Sequence, residues 1–142
     1  MSILARIQFW RGKAEKSLRA RHGEIGERTA KKHLRKLGLK FLAANFKSDR
    51  GEIDLIFRDA DCLVFVEVKA RSSETFGRAS TAVNARKRRL LSQAALDYLR
   101  LLNNPAVKIR FDIVEVVLEN SAVKEVRHLP NTFPMSKPYN YF

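Results

Sequence analysis

Three side chains in GEIDLIFRDADCLVFVEVKAR, residues 51–71, have the types and spacing to do chemistry together: Asp54, Glu67 and Lys69. Cys62–Lys69 reads as a strand whose side chains alternate, with Leu63, Phe65, Glu67 and Lys69 on one side and Cys62, Val64, Val66 and Val68 on the other. The second side is apolar throughout, as packing against a core helix requires. The first changes from Leu and Phe to Glu and Lys, which marks a sheet rim opening onto a cleft. Glu52–Phe57 reads as the preceding strand. If Arg58-Asp59-Ala60-Asp61 closes the hairpin, Phe57 faces Cys62 and Asp54 faces Phe65, so Asp54 shares a face with Glu67 and Lys69. Asp54 and Glu67 are then diagonal neighbours, at roughly 7–8 Å between Cα atoms.

Two carboxylates at that spacing suit one hard cation bound through oxygen. Mg²⁺ fits best, with Mn²⁺ as its substitute, because Mg²⁺ keeps several waters and needs only one or two carboxylates plus phosphate oxygens. A metal-bound water is a better nucleophile, and the metal offsets charge on a phosphorane-like transition state. Lys69, one pleat beyond Glu67, is placed to orient that water or to steady the attacked phosphate. Glu-x-Lys on a strand is by itself commonly a solvated face. An aspartate inside an apolar strand, aligned with it across a hairpin, sets this segment apart.

The surrounding pattern supplies the elements that must hold these groups. Residues 1–22 read as a basic N-terminal extension, with Ile3, Leu4, Ile7 and Trp10 at helical spacing and a basic run from Arg11 to Arg21. A helix follows from Gly23, with Ile25, Ala30, Leu34 and Leu37 as its apolar stripe and Gly38 as its stop. Its polar side carries Arg28, Lys31, Lys32, Arg35 and Lys36. Residues 39–47 read as the first strand, Lys47–Gly51 as a turn and residues 70–81 as an exposed loop. Ser80 or Thr81 caps a second helix running to about Leu102, with Leu91, Ala94, Ala95, Tyr98 and Leu102 on its core face. Asn103-Asn104-Pro105 ends it, Val107–Leu118 is a long strand and Ala122–His128 an edge strand. A domain over residues 23–129 and a surface tail over 130–142 complete the division.

Three consecutive strands suggest an antiparallel meander, and a helix then crosses over to a parallel partner. The expected architecture is α/β, a mixed sheet of four to five strands flanked by helices.

Composition narrows the function. The 142 residues include 28 Lys and Arg against 15 Asp and Glu, a formal charge of +13. Residues 1–50 alone carry +10 and the remainder +3. Such an excess favours a polyanion as partner, above all nucleic acid. A single cysteine, Cys62, excludes an internal disulfide framework and a thiolate zinc cluster. No apolar stretch approaches the ~20 residues of a membrane span, and the N-terminus has no secretory pattern, so a cytoplasmic protein is expected. The scattered His22, His33 and His128 read as surface residues, Cys62 as buried and inert, and Asp112 as half of an ion pair with an arginine.

The residues also resemble a known family. Asp54 followed across a hairpin by Glu67-Val68-Lys69 matches the PD-(D/E)xK nuclease pattern. The wider set resembles the YraN family: Gly23-x-x-Gly26-Glu27, Ala30, Leu34, Gly38, Asn45, Gly51-Glu52-Ile53-Asp54-Leu55-Ile56 and Val64-Phe65-Val66-Glu67-Val68-Lys69-x-Arg71, with Phe76-Gly77, a Lys/Arg-rich helix start and Arg110-Phe111-Asp112. These bacterial proteins are similar to archaeal Holliday junction resolvases, and the resemblance covers roughly residues 21–118. It implies a restriction-endonuclease-like core, with Asp54 and Glu67 as metal ligands, the Val68 carbonyl as a third and Lys69 as the catalytic lysine. Glu27 matches the glutamate that resolvase-like enzymes bring to the metal. Glu52 shares the face of Asp54 by parity. Ile53 stands where the pattern has proline, and Gln93 and Tyr98, five apart, do not match the QxxxY motif of RecB-type exonucleases.

Arg86-Lys87-Arg88-Arg89 opens the second helix just after the loop from the Glu67–Lys69 strand, and with Arg71 and Arg78 it forms the expected phosphate-contacting set. No base-reading motif is present, which points to recognition of backbone and shape. Together these features point to a metal-dependent endonuclease on DNA, with branched structures as candidate substrates. A junction substrate calls for two sites related by a two-fold axis, hence a homodimer. The rival readings are a nucleic-acid-binding module without catalysis and a docking protein of ribosome or membrane.

Overall fold

The computed structural model describes residues 2–72 and 83–141; the side chains of residues 4, 5 and 7–16 are outside that description. Seven elements follow in order: α1 (Ile3–Lys36), β1 (Lys40–Ser48), β2 (Gly51–Asp59), β3 (Cys62–Ser72), α2 (Ala85–Leu101), β4 (Lys108–Glu119) and β5 (Ala122–Phe133). The five strands form one mixed sheet in chain order. β1, β2 and β3 are an antiparallel meander, β3 and β4 run parallel, and β5 returns antiparallel at the edge. The fold is α/β, as expected.

The sheet packs a helix on each face. Ala30 and Leu34 of α1 meet Leu55, Phe57, Val64, Val66, Val114, Val116 and Leu118 on one side. Leu91, Ala94, Ala95 and Leu99 of α2 meet Ile53, Ile56, Leu63, Phe65, Phe111 and Ile113 on the other. With both faces covered, the central strands are mostly apolar, and every residue from Phe111 to Leu118 is buried, Asp112 and Glu115 included. Each such Val, Leu, Ile or Phe contributes about 1.5–3 kcal/mol on leaving water. Among the described residues no helix is long and apolar enough to cross a membrane.

Several boundaries differ from expectation. α1 is one continuous helix of 34 residues, so the segment before Gly23 is helical and runs unbroken into the helix expected from there. At 1.5 Å per residue it is about 51 Å long. Its end is as read: Gly38 has φ 93°, the Gly38 amide donates to the Arg35 carbonyl and the Leu39 amide to that of Leu34, a Schellman stop. Leu37, expected on the apolar stripe, lies past the last turn and is exposed. β3 continues to Ser72, pairing with Leu118, and so absorbs the first residues of the expected loop. The cap of α2 is Asn84, whose Oδ1 accepts from the Lys87 amide at 2.9 Å, not Ser80 or Thr81, which lie outside the described residues. Leu102 follows that helix and is exposed, so Leu99 replaces it on the core face.

β5 continues through Pro130 to Phe133. It does so because it is an edge strand with an irregular register opposite Phe111–Ile113, where a missing N–H costs no ladder bond. Residues after Phe133 then return over α2: the Ser136 amide donates to Ser92 Oγ at 2.9 Å and Gln93 Nε2 to Tyr139 Oη at 2.6 Å.

The β1–β2 turn clamps α2. Arg50 binds Asp97 through two bonds, Nε to Oδ2 at 3.2 Å and Nη2 to Oδ1 at 2.8 Å, and Nη2 also donates to the Gln93 carbonyl. Gly51 makes that approach possible: a Cβ there would stand 2.6 Å from the Leu90 carbonyl oxygen, a backbone atom that cannot swing aside. Gly51→Ala is therefore expected to destabilise the protein by about 1–3 kcal/mol. Gly23→Ala, with nothing within 4 Å of the new methyl, is expected to be neutral or to stabilise the helix. Urea denaturation of the two variants beside the parent checks both; equal midpoints for the Gly51 variant and the parent would remove the packing argument.

Candidate active site

The site arises where β2 and β3 part. Their ladder runs from Asp59↔Cys62 to Leu55↔Val66 and stops, whereas β3 stays paired to β4 as far as Ser72. The hairpin turn is Ala60-Asp61 alone, so the register is two residues from the expected one. A shift of two keeps every side chain on its face, and it brings Asp54 level with Glu67 rather than diagonal to it.

A second irregularity sits at the same point. The β1–β2 ladder pairs Ala44 with Leu55 and Phe46 with Ile53 but leaves out Asn45 and Asp54, and Asn45 has φ 54°. Ile53 packs on the α2 side and Leu55 on the α1 side. Residues two apart in a regular strand share a face, so β2 turns over at Asp54. The aspartate stands at the point of reversal, where the charges of Glu67, Glu27 and Lys87 all act on it. Its Oδ2 reaches across the opening and accepts the Val68 amide at 2.8 Å, in place of a further backbone rung.

Glu67 does face α2, only 5% exposed. Its Oε1 lies 3.3 Å from Lys69 Nζ and 3.4 Å from Lys87 Nζ, so two ammonium groups share one carboxylate oxygen. Val68 faces the other way, against Gly26 of α1, where a Cβ would meet Ala70 Cβ at 3.0 Å and Val68 Cγ1 at 3.5 Å. That close approach brings Glu27 to the same end of the sheet. The Asp54 carboxyl is pushed up to about 7, first by burial, then by the negative charge of Glu67. The Val68 N–H opposes the rise, Glu27 adds to it and Lys87 offsets it. Asp54 is thus the meeting point of two strands and both helices. Among the described residues no three Asp, Glu, His or Cys side chains stand close enough together to form a ready metal cage.

The remaining expected residues are spread more widely. Arg71 is half-buried near the end of β3, Arg86 and Arg89 are exposed, and Arg78 lies outside the described residues. Arg88 turns to the protein, its Nε donating to the Val83 carbonyl at 2.9 Å and its guanidinium lying 5.1 Å from the Phe133 ring centre. Glu52 is exposed. Two features of the site differ from the expected roles. Lys87 turns inward to Glu67 rather than standing free with its basic neighbours. Glu115, fully buried on β4 and paired in register with Lys69, puts another carboxylate beside that lysine. A glutamate flanked by valines inside FDIVEVVLE is the available signal for it.

Asp112 pairs with an arginine as expected, but on the α1 face with Val114 and Val116. It is fully buried, bound by Arg110 Nε at 3.0 Å, His128 Nε2 at 2.7 Å and the Asn131 amide at 2.9 Å, while Arg110 also reaches Asp59 at 2.9 Å. Burial would raise its pKa, yet these bonds together hold it below the usual carboxylate range. His128 is therefore part of the interior packing, and His22 meets Ser121 Oγ at 3.2 Å. Cys62 is half-buried, and burial pushes its thiol pKa up, which leaves it a poor nucleophile.

The family model described as "Uncharacterised protein family UPF0102" matches residues 26–116, from Gly26 through β4. The chain belongs to this family, the YraN family of the sequence resemblance. Similar UPF0102 proteins include one from Trichlorobacter lovleyi, 36% identical over 115 residues that cover 80% of this chain and 91% of the relative. One from Geotalea daltonii is 39% identical over 114 residues, 80% and 90% of the two chains. One from Solibacter usitatus is 46% identical over 102 residues, 70% and 77%. The matched span of this UPF0102 protein holds Glu27, Asp54, Glu67, Lys69, Lys87 and Glu115.

The raised Asp54 pKa fixes a sign. A carboxyl whose folded pKa, about 7, exceeds its unfolded value of 3.8 contributes stability that is complete below the lower value and is lost as pH rises through the higher. Across that window the parent should lose stability relative to Asp54→Asn, whose amide does not titrate. Thermal melts of both proteins between about pH 4.5 and 8 check it; a constant difference would mean that Asp54 is not held in this way.

Proposed function

We propose that this UPF0102 protein is a metal-dependent endonuclease that hydrolyses DNA phosphodiester bonds, with branched DNA as the candidate substrate. The single observation that supports it most is the opening at Asp54 and Glu67. A fold that interrupts two ladders to bring Asp54 close to Glu67 sets like charges together, which burial makes costly. The arrangement makes sense if a cation and a phosphate complete it.

The donor set fits Mg²⁺ or Mn²⁺: the Asp54 and Glu67 carboxylates and the Val68 carbonyl are hard oxygen ligands, with Glu27 as a further carboxylate at the same end. When bound there, such an ion supplies a water acidified to a nucleophile and positive charge against the transition state. Lys69 and Lys87 are the protein's own cations for the attacked phosphate, and both sit on Glu67 until a substrate oxygen competes for them. Arg71, Arg86 and Arg89 hold flanking phosphates. The second reading, a binding module without catalysis, draws on the same lysines, which as they stand satisfy Glu67 without any ion.

Duplex, single-stranded and four-way-junction DNA incubated with Mg²⁺ or Mn²⁺ tests the reading, with EDTA and Asp54→Asn as controls. Cleavage is expected with metal alone. Lys69→Ala should lower it by about 10²-fold or more while leaving binding intact. Glu67→Ala should abolish it. Retention of DNA without any cleavage identifies the binding module instead.

Metal binding has its own readout. Because Asp54 must lose its proton to act as a ligand, added Mg²⁺ should raise the melting temperature more at about pH 8 than at about pH 5.5. The increment should vanish in Asp54→Asn and Glu67→Ala. An equal shift in parent and variants would place the ion elsewhere.

A further inference from the structure

The outward side of α1 carries a row of cations that the site does not use. Arg28, Lys31, Lys32, Arg35 and Lys36 stand at i, i+3, i+4, i+7 and i+8, one stripe down a helix. It lies opposite the face that buries Gly26, Ala30 and Leu34. The five line an open depression of about 470 Å³ to which no other described residue contributes. Among the described residues none of them forms an ion pair with a carboxylate, although Arg50, Lys69, Lys87, Arg100, Arg110 and Lys124 all do.

Like charges at i, i+3 and i, i+4 repel and weaken a helix. Proximity to the helix C-terminus explains Arg35 and Lys36, which complement the macrodipole there, but not Arg28, Lys31 and Lys32. Two of the row are also held in place. Lys31 Nζ lies 3.8 Å from the Phe41 ring centre and the Arg35 guanidinium 5.2 Å from it. The stripe is thus a braced concentration of positive charge with no ion-pair partner among the described residues.

Its position relates it to the site. Arg28 and Lys31 also line a depression with Glu24, Glu27, Ala44 and Leu55. Glu27 is the α1 carboxylate that acts on Asp54. The first two cations of the stripe therefore border the α1 side of the β2–β3 opening, whereas Arg86 and Arg89 belong to α2 on the opposite face of the sheet.

We infer that the α1 stripe is a second anchor for the nucleic-acid backbone, so that the strand to be cut is held from both faces of the sheet. The eight-residue span of the stripe is about 12 Å, the axial length of three to four phosphates of one strand. The inference rests on the nucleic-acid reading of the site, and the test separates the two.

Binding of a short fluorescein-labelled DNA duplex is measured by anisotropy in EDTA, where no cleavage intervenes, over a range of NaCl concentrations. The variant is Arg28→Gln/Lys32→Gln/Lys36→Gln, which spares the two cations packed on Phe41, and its melting curve confirms an intact fold. Loss of three phosphate contacts should make the log–log salt slope shallower by about 2.7. The affinity lost between about 50 and 200 mM salt should then be about 40-fold smaller than for the parent. An unchanged slope and affinity would overturn the anchor and leave the site reading intact. A parent that fails to bind DNA even at low salt would overturn both. Vesicles containing phosphatidylglycerol form the remaining arm: loss of vesicle binding with DNA binding unchanged would assign the stripe to a lipid surface and sink the inference.

Discussion

One hydrogen bond organises the functional end of this molecule: the Val68 amide gives its proton to the Asp54 carboxylate instead of to a backbone carbonyl of β2. Buried backbone N–H groups must find an acceptor, so β2 can leave β3 only if something else takes the bond. A side chain that does so both ends the ladder and holds itself in the gap it creates. Because the acceptor is a carboxylate close to Glu67, its ionisation is opposed by burial and by like charge. The resulting tension is local. β3 remains fully paired with β4 through Ser72, which gives the opening one firm wall.

The two helices are brought to this opening by absent side chains as much as by apolar ones. Gly51 lets the backbone of α2 come within van der Waals reach of the start of β2, and Gly26 does the same for α1 against Val68 and Ala70. Arg50 then ties the β1–β2 turn to Asp97 on α2. Close approach shortens the distance over which Lys87 from α2 and Glu27 from α1 act on Asp54, and both are felt there. Residues with no chemistry of their own therefore set which charges meet.

Much of this is legible in the sequence, for a reason that also explains what is not. The period of a strand is two, so the grouping of Glu67 with Lys69 on one face survives an error of two residues in the hairpin register. The α/β order, the meander and the parallel partner follow from hydrophobic runs and the Gly38 and Asn103-Asn104-Pro105 stops. What periodicity cannot carry is a break in itself. The reversal of β2 at Asp54 depends on Asn45 adopting φ 54° across the sheet, a tertiary coincidence of two strands. The inward turn of Lys87 was equally invisible, because four consecutive cations look alike until a helix is docked. Pro130 argued for a tail where an edge strand could in fact accept it.

A net charge of +13 says little about where a polyanion would lie, because cations differ in what already satisfies them. Arg110 is committed to Asp112 and Asp59, Arg50 to Asp97 and Arg88 to Val83 and Phe133; removing these would disturb the fold before it affected a partner. Lys69 and Lys87 are conditional, each 3.3–3.4 Å from a carboxylate that an incoming cation would neutralise in their stead. The α1 stripe pairs with no carboxylate among the described residues, and only Lys31 and Arg35 of it rest on an aromatic ring. For the proposed phosphate chain, release of conditional cations on one side and supply of unneutralised ones on the other would be complementary.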